Sequence, residues 1–120
     1  MKILIVEDDT HIATLYKKIL DEHGFFCDIA NNLEYAFKLL ETNIYACHLI
    51  DLCLRGDRNT GWEIVTAGYK PIIVVSAIRF EDFEFKADVQ WIRKPVDIKA
   101  LVRNVIDVIK KHKNARTDSR

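Results

Sequence analysis

The sequence predicts a single doubly wound α/β domain, and three observations carry that expectation. Short β-branched runs recur along the chain, most clearly Ile72-Ile73-Val74-Val75. They are continuous rather than alternating, as in parallel strands covered on both faces. Amphipathic stretches separate them, so strand and helix alternate, and right-handed crossovers would set helices on both faces of the sheet. The 120 residues, 49% hydrophobic and 30% charged, suffice for one core and are too few for two.

Five strands are expected, over Lys2 to Glu7, Phe25 to Ala30, Ala46 to Leu52, Pro71 to Ala77 and Asp88 to Ile92. Between the first two, Ile12, Leu15, Tyr16 and Ile19 keep helical spacing before Gly24, with Asp9 placed to cap the first turn. Leu33, Ala36, Phe37 and Leu40 repeat the pattern after Asn32, a good N-cap. The stretch Trp62 to Lys70 contains Gly68 and leaves room for about two turns, so a stunted third helix is expected. From Arg79 to Lys86 the pattern is ambiguous: Phe80 and Phe83 have helical spacing, whereas Phe83 and Phe85 alternate like a strand. A short helix is the expectation there. Ile98, Leu101, Val102, Val105, Ile106 and Ile109 form the longest stripe, a final helix of roughly four turns beginning after Pro95 and Asp97.

Eighteen basic and eighteen acidic residues cancel, so no global field favours nucleic acid or an anionic membrane. The segment from Lys110 is locally basic, with five cations against Asp118, and reads as a solvated helix end. A globular domain over residues 1–113 and a basic tail over 114–120 are the expected organisation. Three cysteines, Cys27, Cys47 and Cys53, make no C-x-x-C pair, which argues against a disulfide framework or a structural zinc site and for a reducing compartment. No stretch approaches the ~20 apolar residues of a membrane span. A cytoplasmic protein is expected.

The chemistry sits at the strand ends. Glu7-Asp8-Asp9 follows the run Ile3-Leu4-Ile5-Val6, Asp51 ends the third strand, Ser76 lies at the end of the fourth, and Lys94-Pro95 follows the fifth. In doubly wound sheets ligands gather beyond the carboxyl ends of the strands, so these groups would share one rim. Crowded carboxylates raise one another's pKa, and a divalent cation removes that repulsion. Asp8 and Asp51 are hard oxygen ligands suited to Mg²⁺, Glu7 could hold a metal-bound water, and the Cys53 backbone carbonyl could add an oxygen. Lys94 suits a phosphoryl oxygen as a point charge, and Ser76 offers a hydroxyl to the same group. Asp51, the lone carboxylate ending a central apolar strand, is the expected nucleophile in an aspartyl-phosphate reaction.

Met1 to Asp9, Ile50 to Leu54, Val75-Ser76-Ala77 and Arg93-Lys94-Pro95 together resemble the receiver domain of two-component response regulators, and the similarity spans about Lys2 to Lys111. The resemblance implies a flavodoxin-like, five-stranded parallel sheet in order 2-1-3-4-5. It implies that Asp51 accepts phosphate from a histidine kinase or histidine phosphotransfer protein, with Glu7 and Asp8 around Mg²⁺, Ser76 as switch hydroxyl and Lys94 on the phosphoryl group. The residue three before the lysine, Trp91, takes the place of the family's switch aromatic. Tryptophan is bulkier than the usual tyrosine or phenylalanine, and moving it into a packed interior would cost roughly 1 to 3 kcal/mol, so a moving ring and a fixed interface residue both stay open. A downstream protein effector, no direct nucleic-acid binding by this domain, no membrane and a homodimer among the assemblies complete the implied partners.

Departures from the family pattern bear on output. Arg55 stands where proline is usual, the loop before Gly61 is longer, and the third and fourth helices look abbreviated. Phe80, Phe83 and Phe85 lie in the fourth, as core filling or as a partner patch. The first expectation is a phosphorylatable switch with no external substrate to turn over; the alternative is a pseudo-receiver that binds its partner constitutively. A Mg²⁺-dependent phosphatase or flavin carrier fits less well. The first strand is followed by acids rather than a glycine- or hydroxyl-rich phosphate loop, and Cys53 stands where a second catalytic aspartate would be needed.

Overall fold

The computed structural model describes residues 1–54, 61–77 and 89–118, with side chains to residue 115 in the last helix. Five strands, β1 (Lys2–Val6), β2 (Phe26–Ala30), β3 (Cys47–Asp51), β4 (Ile72–Ser76) and β5 (Gln90–Arg93), alternate with helices α1 (Thr10–Glu22), α2 (Leu33–Thr42), α3 (Trp62–Thr66) and α4 (Ile98–Asp118). The expected fourth helix over 79–86, its three phenylalanines and Arg55 lie outside the described residues.

All strand pairs are parallel and the sheet order is β2-β1-β3-β4-β5. The interior strands explain why the apolar runs are continuous: all five residues of β3 and of β4 are buried. Successive side chains divide between two faces. Ile3, Ile5, Leu49, Ile73 and Val75 pack with α1 and α4, whereas Leu4, Val6, Ile50 and Val74 pack with α2 and α3. Each fully buried aliphatic side chain is worth about 1.5–3 kcal/mol relative to exposure, so the two layers pin the sheet from both sides.

Caps fix where the helices begin. The Asp9 carboxylate accepts hydrogen bonds from the His11 and Ile12 amides at 3.0 and 3.1 Å, and Asn32 accepts from Tyr35 at 2.8 Å, as the sequence suggests. Asp97 does the same for α4, accepting from Lys99 at 3.0 Å. Gly24, at φ +88°, takes the left-handed conformation that ends α1.

Three details depart from expectation. Leu15 lies on the apolar stripe of α1 yet is 45% exposed, because the buried stripe there narrows to Ala13, Tyr16 and Leu20. α4 runs to Asp118, well past its last buried residue, Ile109. Lysine and alanine are good helix formers and continue it, so at 21 residues the helix is longer than the four turns expected. Finally, β3 carries a buried histidine, His48, whose Nδ1 lies 2.8 Å from the Pro71 carbonyl oxygen. No described helix is long and apolar enough to cross a membrane.

Candidate functional site

Parallel β1, β3 and β4 end at the same rim, and this brings the acidic groups together. Val6 pairs with Ile50 and Asp51 with Val75, so Glu7 and Asp51 each leave the sheet at equivalent heights. Ligand oxygens of Glu7, Asp8 and Asp51 lie within 4.8 Å of one another. Glu7 and Asp51 are buried, at 2% and 5% exposure, and Asp8 is half-buried.

Backbone contacts hold the carboxylates. The Glu7 amide donates to Ala30 at 3.1 Å and its carbonyl accepts from the Asn31 side chain at 3.0 Å. Asp51 Oδ1 accepts from the Cys53 amide at 3.0 Å, which turns the chain back across the end of β3. The Gly61 amide donates to the Leu52 carbonyl at 3.2 Å, bringing the start of α3 against that turn. A Cβ at Gly61 would collide with the Asp51 carbonyl oxygen. This glycine serves close approach rather than an unusual backbone angle, since its φ is −68°.

Lys94 reaches in from the end of β5. Its amide donates to the Ser76 carbonyl at 2.9 Å, and its ammonium lies 2.8 Å from Glu7 Oε1 and 3.3 Å from Asp51 Oδ2. Burial pushes the Glu7 carboxyl up to about 7, and neighbouring Asp51 adds to the rise while Lys94 opposes it. Burial alone would lower Lys94, but the Glu7 hydrogen bond and the two carboxylate charges outweigh it and hold the amine above its usual range. The pocket is a crowded acidic pair bridged by one cation.

The donor set fits a small divalent cation. Three carboxylates converge with hard oxygens only, and the Glu7 to Asp51 crowding is what a metal relieves. Ser76, fully buried, sits one residue beyond Val75, the register partner of Asp51. Cys53 is half-buried and touches the site through its amide. Trp91 pairs with Val74 and packs, half-buried, on the α2 and α3 side of the sheet. Sequence reasoning treated Gly61 only as a boundary and Tyr16 only as core. Tyr16 lines the same tight crevice as Glu7 and Asp51.

Comparison with known proteins gives the same picture. No family model matches the chain. The transcriptional regulatory protein SrrA of Staphylococcus aureus is 34% identical over 113 residues, covering 87% of this chain and 46% of SrrA. The solved receiver domain, described as CheY-like, from Methanospirillum hungatei superposes with a TM-score of 0.79 at 26% identity, covering 95% of this chain and 97% of that one. The chain belongs to the receiver domains of two-component response regulators. It spans about half the length of the curated relatives it matches. Among receiver structures, the response regulator TrrA of Thermotoga maritima, solved in complex with Mg²⁺ and BeF, shares 26% identity at a TM-score of 0.76, over 89% of this chain and 97% of that one.

Proposed function

We propose that this receiver is a phosphorylatable switch in which Asp51 accepts a phosphoryl group from a histidine kinase or histidine phosphotransfer protein. The observation that carries the reading is the single ammonium of Lys94 bridging Glu7 and Asp51 beside Asp8. Asp51 Oδ attacks phosphorus, the new P–O bond forms as the donor's P–N bond breaks, and the imidazole leaves with the electron pair. Lys94 follows the charge onto a phosphoryl oxygen, which its flexible stem allows. Ser76 supplies a hydroxyl to the same group and acts as the switch.

Glu7, Asp8, Asp51 and the Cys53 carbonyl would hold Mg²⁺, which when bound supplies charge neutralisation for the attack of an anionic nucleophile on an anionic donor. The complex of TrrA with Mg²⁺ and BeF supports this assignment. The phosphorylated form then shifts the population toward a conformation that a downstream protein effector prefers. No external substrate is turned over. The balance of 18 basic and 18 acidic residues supports protein partners for this domain rather than nucleic acid or a membrane. Three cysteines outside any disulfide suit a cytoplasmic location.

A second reading, a pseudo-receiver that binds its partner constitutively, draws on the shortness of α3, five residues long. Tryptophan emission separates the two. Trp91 lies on β5 and Trp62 opens α3, so addition of Mg²⁺ and acetyl phosphate shifts emission if the switch operates, and Asp51→Asn abolishes the phosphodonor-dependent part. Emission unchanged in the presence of a confirmed phosphoryl adduct would favour the constitutive module.

A further inference from the structure

Asn31 follows the last residue of β2 and is exposed, yet its side chain has a specific partner. Its Nδ2 donates to the Glu7 carbonyl oxygen at 3.0 Å. The strand register explains the contact. β1 and β2 pair in parallel as far as Val6 and Ala30, and the Glu7 amide donates to the Ala30 carbonyl at 3.1 Å. Asn32 then caps α2 and turns the chain away, so the Asn31 side chain adds one further bond between the two segments beyond the last strand pair.

That bond governs Asp8. The Glu7 carbonyl and the Asp8 amide belong to one planar peptide unit, so holding the carbonyl fixes the direction in which the chain presents Asp8. On the other side, the Asp9 carboxylate is tied to the His11 and Ile12 amides at 3.0 and 3.1 Å. Asp8 is thus carried on a short segment clamped by Asn31 toward the sheet and by Asp9 toward α1. An exposed asparagine adds little to the core, which leaves this tether as the contribution a substitution would remove. We infer that Asn31 is a positioning residue for the divalent cation: by tethering Glu7 it holds Asp8 in the geometry that a small octahedral ion requires.

The inference rests on the proposed assignment of Glu7, Asp8 and Asp51 as the carboxylates that would hold Mg²⁺. Mg²⁺ tolerates little departure from octahedral geometry, whereas the larger Ca²⁺ accepts looser and more irregular sets of oxygens. Loosening the tether therefore penalises Mg²⁺ more than Ca²⁺. A residue acting only on overall stability would not distinguish the two ions.

The test is the thermal midpoint of the full chain titrated separately with magnesium chloride and calcium chloride, for the wild type, Asn31→Ala, Asn31→Leu and Asn43→Ala. An ion that binds only the folded state raises the midpoint with concentration, which gives an affinity for each protein relative to its own metal-free value. Both Asn31 variants remove the donor, and Asn31→Leu keeps the bulk of the side chain. They are expected to bind Mg²⁺ about fivefold more weakly, within what one hydrogen bond supplies, and Ca²⁺ more weakly by about twofold at most. Asn43 is the control: its side-chain amide donates to the Leu39 carbonyl at 2.9 Å, at the end of α2, and Asn43→Ala is expected to lose stability with both affinities unchanged. Wild-type Mg²⁺ affinity in the Asn31 variants overturns the inference. So does an equal fall for the two ions, or a fall in Asn43→Ala as large as in Asn31→Ala. Failure of Mg²⁺ to raise the midpoint of the wild type overturns the metal assignment itself.

Discussion

Lys94 stands closer to Glu7 than to Asp51, at 2.8 Å against 3.3 Å. One cation is shared between two carboxylates, and the one it grips more tightly is not the proposed nucleophile. On the proposed assignment, a divalent ion held by Glu7, Asp8 and Asp51 would compete with that ammonium for the same oxygens and would leave Lys94 available to a phosphoryl group. Metal binding and Lys94 repositioning would then be linked.

That competition predicts how a Lys94 variant behaves. Lys94→Met removes the ammonium that bridges the buried Glu7 and Asp51 and costs about 2 kcal/mol in the absence of Mg²⁺. Adding Mg²⁺ restores a larger share of stability to the variant than it adds to the wild type, because no ammonium has to be displaced. Urea denaturation with and without Mg²⁺ reads both quantities. Equal Mg²⁺ stabilisation of the two proteins would contradict the competition.

Gly61 gives a second prediction. A methyl group there meets the carbonyl of Asp51, so Gly61→Ala pushes on the turn that positions the proposed nucleophile. It is expected to lose about 1 to 3 kcal/mol and most of its phosphorylation rate. Gly68, at φ +92° with open space around it, provides the control. Gly68→Ala loses about 1 kcal/mol to backbone strain alone and phosphorylates at the wild-type rate. Matching rates in the two variants would show that the Gly61 contact does not reach the site.

His48 predicts an acid-sensitive term in stability. It is buried between the rings of Tyr45 and Tyr69, with centroids 5.9 and 6.0 Å away, and burial holds its pKa below 6.5. The unfolded chain takes up a proton as pH falls below 6.5 while the folded chain resists, so this term favours unfolding on the acid side and vanishes above it. Glu7 runs the other way in the metal-free protein. Its folded pKa is raised from 4.5 to about 7, so its contribution is present at low pH and lost as pH rises through that window. Comparing the wild type with His48→Leu cancels the Glu7 term. The variant carries a pH-independent loss of about 1 kcal/mol from the missing Pro71 hydrogen bond, and the wild type loses at most about 2 kcal/mol relative to it between pH 7 and 5. A pH-independent difference in the denaturation curves would contradict this.

Legibility in the sequence followed physical cause. Strands buried on both faces leave continuous apolar runs, which is why Ile3 to Val6 and Ile72 to Val75 could be placed, and N-caps such as Asp9 and Asn32 mark helix starts by chemistry that is local. The convergence of Glu7, Asp8, Asp51 and Lys94 could be read because parallel topology sends every strand end to one rim. What could not be read depends on tertiary context. Gly61 looks like any loop glycine until the Asp51 carbonyl lies against it. β5 was expected over Asp88 to Ile92 and runs Gln90–Arg93, a small slip at a half-buried edge strand where the apolar pattern is weakest. The extension of α4 past Ile109 carries no apolar period, so only propensity announced it.

Intact mass after incubation with Mg²⁺ and acetyl phosphate tests the central claim most directly. The account predicts one added phosphoryl group on the wild type, none when the metal is chelated and none on Asp51→Asn. An unchanged wild-type mass, or the same adduct on Asp51→Asn, would contradict it.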